Sequence, residues 1–364
     1  MRSARIENLN VSAYTIPTES PESDGTFEWD ATTIVIVQVE CGGERGLGYS
    51  YADTATATLI HDHLKNVVVG RDAMSVSANW VGMVHSIRNL GRPGICSMAI
   101  SAVDTALWDL KARLLGLPVV TLMGQCRAAM PIYGSGGFTS YSIEKLQQQL
   151  GDWAKEKIPC VKMKIGRDAS ADVARVAAAR EAVGETVELF VDANGAYSRK
   201  QALAQAEKFS ESDVTWFEEP VSADDLEGLR LIRDRAPAGM EIAAGEYGYD
   251  AEYFARMLDH GSVDVLQADA TRCSGFTGFL QAAALSELHH LELSAHCAPS
   301  LHLHIGCSVD CFRHAEYFFD HARIERMIFD GVVDPIDGAM RPDLSRPGLG
   351  LELKTADADR FRTG

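Results

Sequence analysis

Seven side chains able to bind a metal or move a proton recur at near-constant intervals: Lys164, Asp192, Glu218, Glu246, Asp269, His296 and Glu316, spaced 20 to 28 residues apart. Each closes, follows or sits in a short apolar run, such as Cys160-Val-Lys-Met-Lys164 or Val214-Thr-Trp-Phe-Glu218. Three successive carboxylates, Asp192, Glu218 and Glu246, supply hard oxygen ligands, which suit Mg2+ far better than a thiolate-seeking ion. The amine of Lys164 and the imidazole of His296 supply proton transfer.

Lys162 and Lys164 stand two apart on one strand, so both side chains point to the same side. Repulsion between the two ammonium groups is expected to lower the pKa of at least one and make it a base near neutral pH. Alternate lysines also occur on ordinary surface strands; the carboxylates at the same face argue for a site. Asp192 opens Asp-Ala-Asn-Gly195, in which Asn194 shares its side and Gly195 allows a sharp exit turn. Glu218 and Glu219 face opposite ways by strand alternation, so one is free for metal while the other points outward to a helix or an ion pair. Asp269 can accept from one imidazole nitrogen of His296 and hold the other toward a cavity. His289, His290, His302, His304, His314 and His321 read as structural or surface residues. His302-Leu-His304 is no metal pair on a helix, where i and i+2 do not share a face.

The interval is the length of a strand, its crossover helix and two loops. Polar side chains at the carboxyl ends of successive strands are what a (β/α)8 barrel presents at its catalytic face. Ala171 to Ala182 predicts a helix, and Ser198-Arg-Lys-Gln201 and Ser222-Ala-Asp-Asp225 predict helix starts. Upstream, residues 32 to 39 and 46 to 51 predict an antiparallel hairpin. Ile100, Val103, Leu107, Leu110 and Leu114 predict one apolar helical face that Gly116 ends. The organisation expected is an α+β domain over residues 1 to 126, a barrel over 127 to 339, and a tail from about 340 to 364 returning to the first domain. Residues 15 to 30, rich in Thr, Pro, Glu, Ser, Asp and Gly, predict a long polar loop of the kind that forms lids.

A hydrophobic fraction of 46% and a charged fraction of 23% fit a soluble globular protein. A net charge of -17 leaves no cation cluster for nucleic acid. No run approaches ~18 apolar residues, and the first residues lack the apolar core of a signal peptide, so no membrane partner is expected and the chain reads as cytoplasmic. Eight cysteines without a CxxC pair read as free thiols, and Cys297 reads as a packing residue despite adjoining His296.

Val161-Lys-Met-Lys164, Val-Asp-Ala-Asn-Gly195, Trp-Phe-Glu-Glu-Pro220, Gly245-Glu246 and the Asp269 and His296 dyad resemble the enolase superfamily, specifically its mandelate racemase subgroup, over nearly the whole chain. The resemblance implies a modified TIM barrel of the (β/α)7β type with an α+β N-terminal capping domain, and a homo-oligomer. It implies that Asp192, Glu218 and Glu246 bind Mg2+, that Lys164 is one acid/base, and that His296 with Asp269 is the other, on the opposite face of a small-molecule carboxylate. Lys162 would contact that carboxylate and tune Lys164, and Glu316 would donate a hydrogen bond to the enediolate. Loops near residues 15 to 30 and 50 to 55 would close over the substrate.

The reaction so implied removes a proton next to a carboxylate, and Mg2+ with the ammonium groups offsets the second negative charge as it develops. If C3 carries a hydroxyl, protonated His296 can expel it as water, which makes an acid-sugar dehydratase. If not, reprotonation from the other face makes a racemase or epimerase of a 2-hydroxy acid. A barrel that only binds a metal and a carboxylate would need neither Lys164 nor His296. A barrel metallohydrolase would want a His pair where the first strand reads Pro131-Ile-Tyr-Gly-Ser-Gly-Gly. From Ile6 to Glu44 there is no Lys, Arg or His, while Glu19, Glu22 and Asp24 fall in the lid. Such a lid is expected to favour a monoacid sugar over a diacid, unless Arg92 or Arg272 reaches the far carboxylate.

Overall fold

β-Branched runs in the first fifty residues build a three-stranded antiparallel sheet, β1 (Asn8–Ser23), β2 (Glu28–Cys41) and β3 (Glu44–Tyr51), in a computed structural model that describes residues 4–363. The expected limits at residues 1 and 364, and the reading of the first three residues as part of no leader, lie outside the described residues. α1 (Thr54–Leu59), α2 (Lys65–Val68) and α3 (Val76–Ser86) lead to α4 (Ile95–Leu114), and the short α5 (Val119–Met123) follows. Ile100, Val103, Leu107 and Leu110 of α4 bury against Val35, Val37 and Val39 of β2. α4 lies hard on β3 because Gly46 and Gly48 carry no side chain there: a Cβ at either would stand 2.2 Å from an α4 carbonyl oxygen.

Residues 15 to 30 are not an irregular loop. They are the far half of the β1–β2 hairpin, with Glu22 paired to Trp29 across a tight turn. β1 is an edge strand, so Pro17 and Pro21 cost no ladder donor, and Thr and Ser suit a strand that is only half-buried.

The barrel runs β4 (Met130–Gly136), α6 (Ile143–Lys155), β5 (Cys160–Lys164), α7 (Asp172–Val183), β6 (Glu188–Asp192), α8 (Arg199–Ser210) and β7 (Val214–Glu218). It continues α9 (Leu226–Arg233), β8 (Glu241–Ala244), α10 (Ala251–Asp259), β9 (Val265–Ala268), α11 (Gly275–Leu288), β10 (Glu292–Ala295), α12 (Pro299–Gly306) and β11 (Phe312–Phe318). All eight strands are parallel to their neighbours, and β11 pairs with β4 to close the ring. This is the (β/α)7β barrel with its antiparallel cap that the motifs implied.

Ser198 caps α8 in a full capping box with Gln201. At the next helix Asp225, not Ser222, is the cap, accepting from Gly228 N, because it stands directly before the apolar face of Leu229 and Ile232. α13 (Phe319–Ile328) follows the last strand. Beyond it the chain returns to the cap: Val119 N donates to Gly348 O, and Thr363 N to Ala13 O. Among the described residues no helix is long and apolar enough to cross a membrane.

Candidate active site

Strand alternation stacks side chains inside the barrel in layers two residues apart. Tyr133, Phe190, Trp216 and His314 form an aromatic plug, with Phe190 and Trp216 stacked at 5.2 Å. Two residues further along the same strands stand Ser135, Asp192, Glu218 and Glu316, and Lys162 rises among them. Lys162 is fully buried, its Nζ 2.6 Å from Glu218 Oε1, 2.9 Å from Glu316 Oε1 and 3.6 Å from Asp192 Oδ2. Glu218 Oε2 accepts from Trp216 Nε1 and Gln267 Nε2 at 3.0 and 2.9 Å.

Lys164, one step higher, lines a cavity of about 540 Å³ at the carboxyl ends of the strands and donates to Asp192 Oδ2 at 2.5 Å. Glu246, His296 and Asn194 line it too. Asp269 Oδ2 accepts from His296 Nδ1 at 2.8 Å, and Thr271 N holds its other oxygen at 2.6 Å. That fixes the imidazole with Nε2 facing inward, 3.3 Å from Glu246 Oε2. Arg272 reaches Glu246 Oε1 at 3.2 Å and Asp269 Oδ2 at 3.6 Å while lying over the Tyr247 ring. All seven recurring residues therefore converge, with Glu316 inside its strand rather than at the end and behind the eight-residue α12, which together shorten its interval.

The electrostatics differ from the expectation for the lysine pair. Burial lowers the Lys164 pKa and so does Lys162, but Asp192, helped by Glu316 and Glu246, prevails and holds it above its usual value. Lys162 is likewise held well above, burial being outweighed by Glu218, Glu316 and Asp192. Asp269 sits below the usual carboxylate range: burial raises it, but the hydrogen bond and charge of His296 prevail. Glu316 is held well below, burial being overcome by Lys162, His296 and Lys164. It accepts from Ser135 Oγ at 2.5 Å and Cys297 N at 2.9 Å.

Glu219 also departs from expectation. Its backbone turns left-handed (φ 38°), which ends the alternation, and its side chain is buried rather than directed out to an ion pair. Burial, then Glu246 and Asp192, push its carboxyl well above the usual range.

The cap supplies the opposite wall. Of the three lid acids only Asp24 lines the cavity, and its Oδ1 is taken by Thr26 N and Phe27 N at 2.6 and 2.7 Å. Glu19 lies over an outer groove between α6 and α13. Glu22 is buried, accepts from Trp29 Nε1 at 3.0 Å and is pushed up to about 8, chiefly by burial. The hairpin tip is down on the barrel: Ser23 Oγ meets Thr139 Oγ1 at 2.6 Å, and a Cβ on Gly25 would stand 2.4 Å from Ala193 O. Asp53 joins the wall from the second loop. Arg92 lies over Trp80 outside the cavity, whereas Arg272 lines it.

Sequence reasoning passed over three residues. His321 lines the cavity and stacks on Tyr51 at 3.4 Å. Gln267 shares a side with Asp269 by alternation, which could have found it. Cys297 packs against Phe138 and Phe318 as expected, but its Sγ also lies 3.2 Å from His296 Nε2. His302 and His304 are structural as expected, accepting from Ala270 N and Val120 N. All eight cysteines are free.

Asp192, Glu218 and Glu246 place carboxylate oxygens within 4.8 Å of one another, and Glu246 Oε2 is buried with no hydrogen-bond partner. An all-oxygen set with an unsatisfied acceptor fits a hard divalent cation. Residues 145–358 match the family described as Enolase C-terminal domain-like, and residues 16–124 match the Mandelate racemase / muconate lactonizing enzyme, N-terminal domain. The chain is 31% identical to 3,6-anhydro-alpha-L-galactonate cycloisomerase of Streptomyces coelicolor, over 99% of this chain and 100% of that protein. A mandelate racemase/muconate lactonizing enzyme-like protein from Rubrobacter xylanophilus is 53% identical with a TM-score of 0.97, over 99% of this chain and 100% of that one. L-Talarate dehydratase from Polaromonas sp. JS666, complexed with Mg and L-glucarate, is 30% identical with a TM-score of 0.89, over 100% of this chain and 98% of that one.

Proposed function

The chain belongs to the mandelate racemase/muconate lactonizing enzyme group of the enolase superfamily, and from that premise we propose that it removes the proton α to the carboxylate of an acid sugar and then expels the C3 hydroxyl as water. Its cofactor is Mg2+, which when bound supplies positive charge against the second negative charge of an enediolate. Asp192, Glu218 and Glu246 are the residues that would hold it. The observation that carries the reading is Lys164 Nζ and an Asp269-oriented His296 Nε2 facing one cavity above those three carboxylates.

Lys164 takes the α-proton. It must first release the proton that Asp192 now holds on it, and a carboxylate that shares its charge with a cation holds an ammonium less firmly. His296, whose Nδ1–H donates to Asp269, acts in its doubly protonated form and delivers the Nε2 proton to the departing hydroxyl, which leaves as water. Lys162, beneath the cavity and away from its wall, keeps Glu218, Glu316 and Asp192 together. Asn194, whose Oδ1 is buried without a partner, is placed to receive a substrate hydroxyl.

A monoacid sugar fits the cap wall best, since that wall carries Asp24 and Asp53 but no cation, and Arg272 is engaged by Glu246 and Asp269. Proton-transfer groups on two sides of the cavity also allow epimerisation of a 2-hydroxy acid. The composition and the family resemblance suggest a cytoplasmic homo-oligomer. Incubating the enzyme with Mg2+ and a panel of aldonic and aldaric acids, and detecting 2-keto-3-deoxy products, tests the reading. Products should vanish on chelation and return with Mg2+. Substrate epimers without keto products would favour epimerisation instead.

A further inference from the structure

We propose that His296, Cys297 and Glu316 form a second metal site, selective for a borderline-soft divalent cation such as Zn2+, that closes the active site when filled. Cys297 Sγ lies 3.2 Å from His296 Nε2 and 3.2 Å from Glu316 Oε2, and the last two atoms lie 3.7 Å apart. Ligands about 2.0 to 2.3 Å from one tetrahedral ion stand about that far from each other. All three residues are buried. Glu246 Oε2 lies 3.3 Å from the same imidazole nitrogen but belongs to the all-oxygen set with Asp192 and Glu218, so the two sites adjoin without sharing a ligand.

The backbone explains why a thiol can be there. Residues 296 and 297 would face opposite ways on a strand, but β10 ends at Ala295, and Cys297 and Ala298 are both left-handed (φ 52° and 42°). That turn brings the sulfur round to the imidazole. Two such non-glycine residues in succession are costly and persist only where the surroundings enforce them.

The ligand set selects the ion. Sulfur and imidazole bind Zn2+ far better than Mg2+, whereas the Asp192, Glu218 and Glu246 set is all oxygen. Coordination displaces the thiol proton to solvent and occupies the nitrogen lone pair. The inhibitory consequence rests on the proposed role of His296; the binding does not.

Co2+ is the optical probe for the site, added to the Mg2+-saturated enzyme. A thiolate-to-cobalt charge-transfer band in the near ultraviolet is expected, absent from Cys297→Ser and Cys297→Ala. In assays with excess Mg2+, the Zn2+ concentration giving half inhibition should rise in both variants by at least about the tenfold that loss of an outer-shell partner costs a metal site. The same band in the variants, or no change in their Zn2+ sensitivity, would overturn the site. Because the band needs no turnover, it can appear in an enzyme that dehydrates no sugar, so failure of the functional reading remains distinguishable.

Discussion

The floor and the roof of the cavity are built on opposite principles. In the floor, Lys162 sits among Glu218, Glu316 and Asp192 with no solvent exposure, and its ammonium is engaged by all three carboxylates. Breaking such a buried ion pair costs about 3–5 kcal/mol, so these groups are held in one arrangement. The roof is a two-stranded hairpin whose tip rests on neutral hydrogen bonds such as Ser23 to Thr139, each contributing about 1 kcal/mol. Its one ion pair to the barrel among the described residues, Glu28 with Arg167 at 2.6 Å, is half-exposed, so lifting the hairpin hands both charges to water and breaks no buried pair. The difference teaches a division of labour: the strand ends fix the chemistry, while the hairpin fixes what is admitted to it.

Floor substitutions should therefore strike kcat, and roof substitutions KM. The largest effect is expected for Lys164→Ala, a loss of about 10³-fold in kcat, within the usual range for removing an acid/base group. His296→Asn should be as slow in water loss yet still exchange the α-proton in deuterated water, followed by NMR. Normal dehydration by that variant would remove His296 from the role of acid. For the roof, Gly25→Ala places a Cβ 2.4 Å from Ala193 O. Overpacking of that kind costs about 1–3 kcal/mol, read as a KM increase of about tenfold with kcat much less changed. An equal fall in kcat would erase the division.

Selectivity follows from the same wall. Aldonic acids should exceed aldaric acids of matched C2 and C3 configuration in kcat/KM by about tenfold, equivalent to about 1.4 kcal/mol. A clear diacid preference that survives Arg272→Ala would show that the acidic roof does not select.

The smallest effect concerns Glu22, whose carboxyl is raised to about 8 by burial. A raised folded pKa means that the stability it contributes is full below the ordinary value of 4.5 and is lost as pH rises through about 8. Closure should therefore weaken above that pH. Glu22→Gln should flatten the KM profile, with KM about fivefold below the parent's at pH 9, a difference of roughly 1 kcal/mol. Parallel profiles would detach Glu22 from closure.

The same division marks what could be read from the sequence. Strand periodicity is local, so Lys164, Asp192, Glu218, Asp269 and His296 announce themselves by interval and alternation. Alternation stops where a strand stops. Glu219 and Cys297 escape it because each takes a left-handed backbone just past the last paired residue, which no pattern of apolar residues encodes. The lysine pair misleads for another reason: repulsion from two residues away is visible in the sequence, but the carboxylates that outweigh it come from three other strands. In the roof, Thr- and Pro-rich residues 15 to 30 look like a loop because an edge strand needs neither a continuous apolar face nor every amide donor.

The central claim is abstraction of an α-proton followed by loss of the neighbouring hydroxyl, and its most direct measurement is NMR of the Mg2+-loaded enzyme with an aldonic acid in deuterated water. A 2-keto-3-deoxy product carrying one deuterium at C3 is predicted, absent when Mg2+ is chelated and absent from Lys164→Ala. If neither the product nor any C2 exchange appears with any acid sugar while Mg2+ is bound, the account is contradicted.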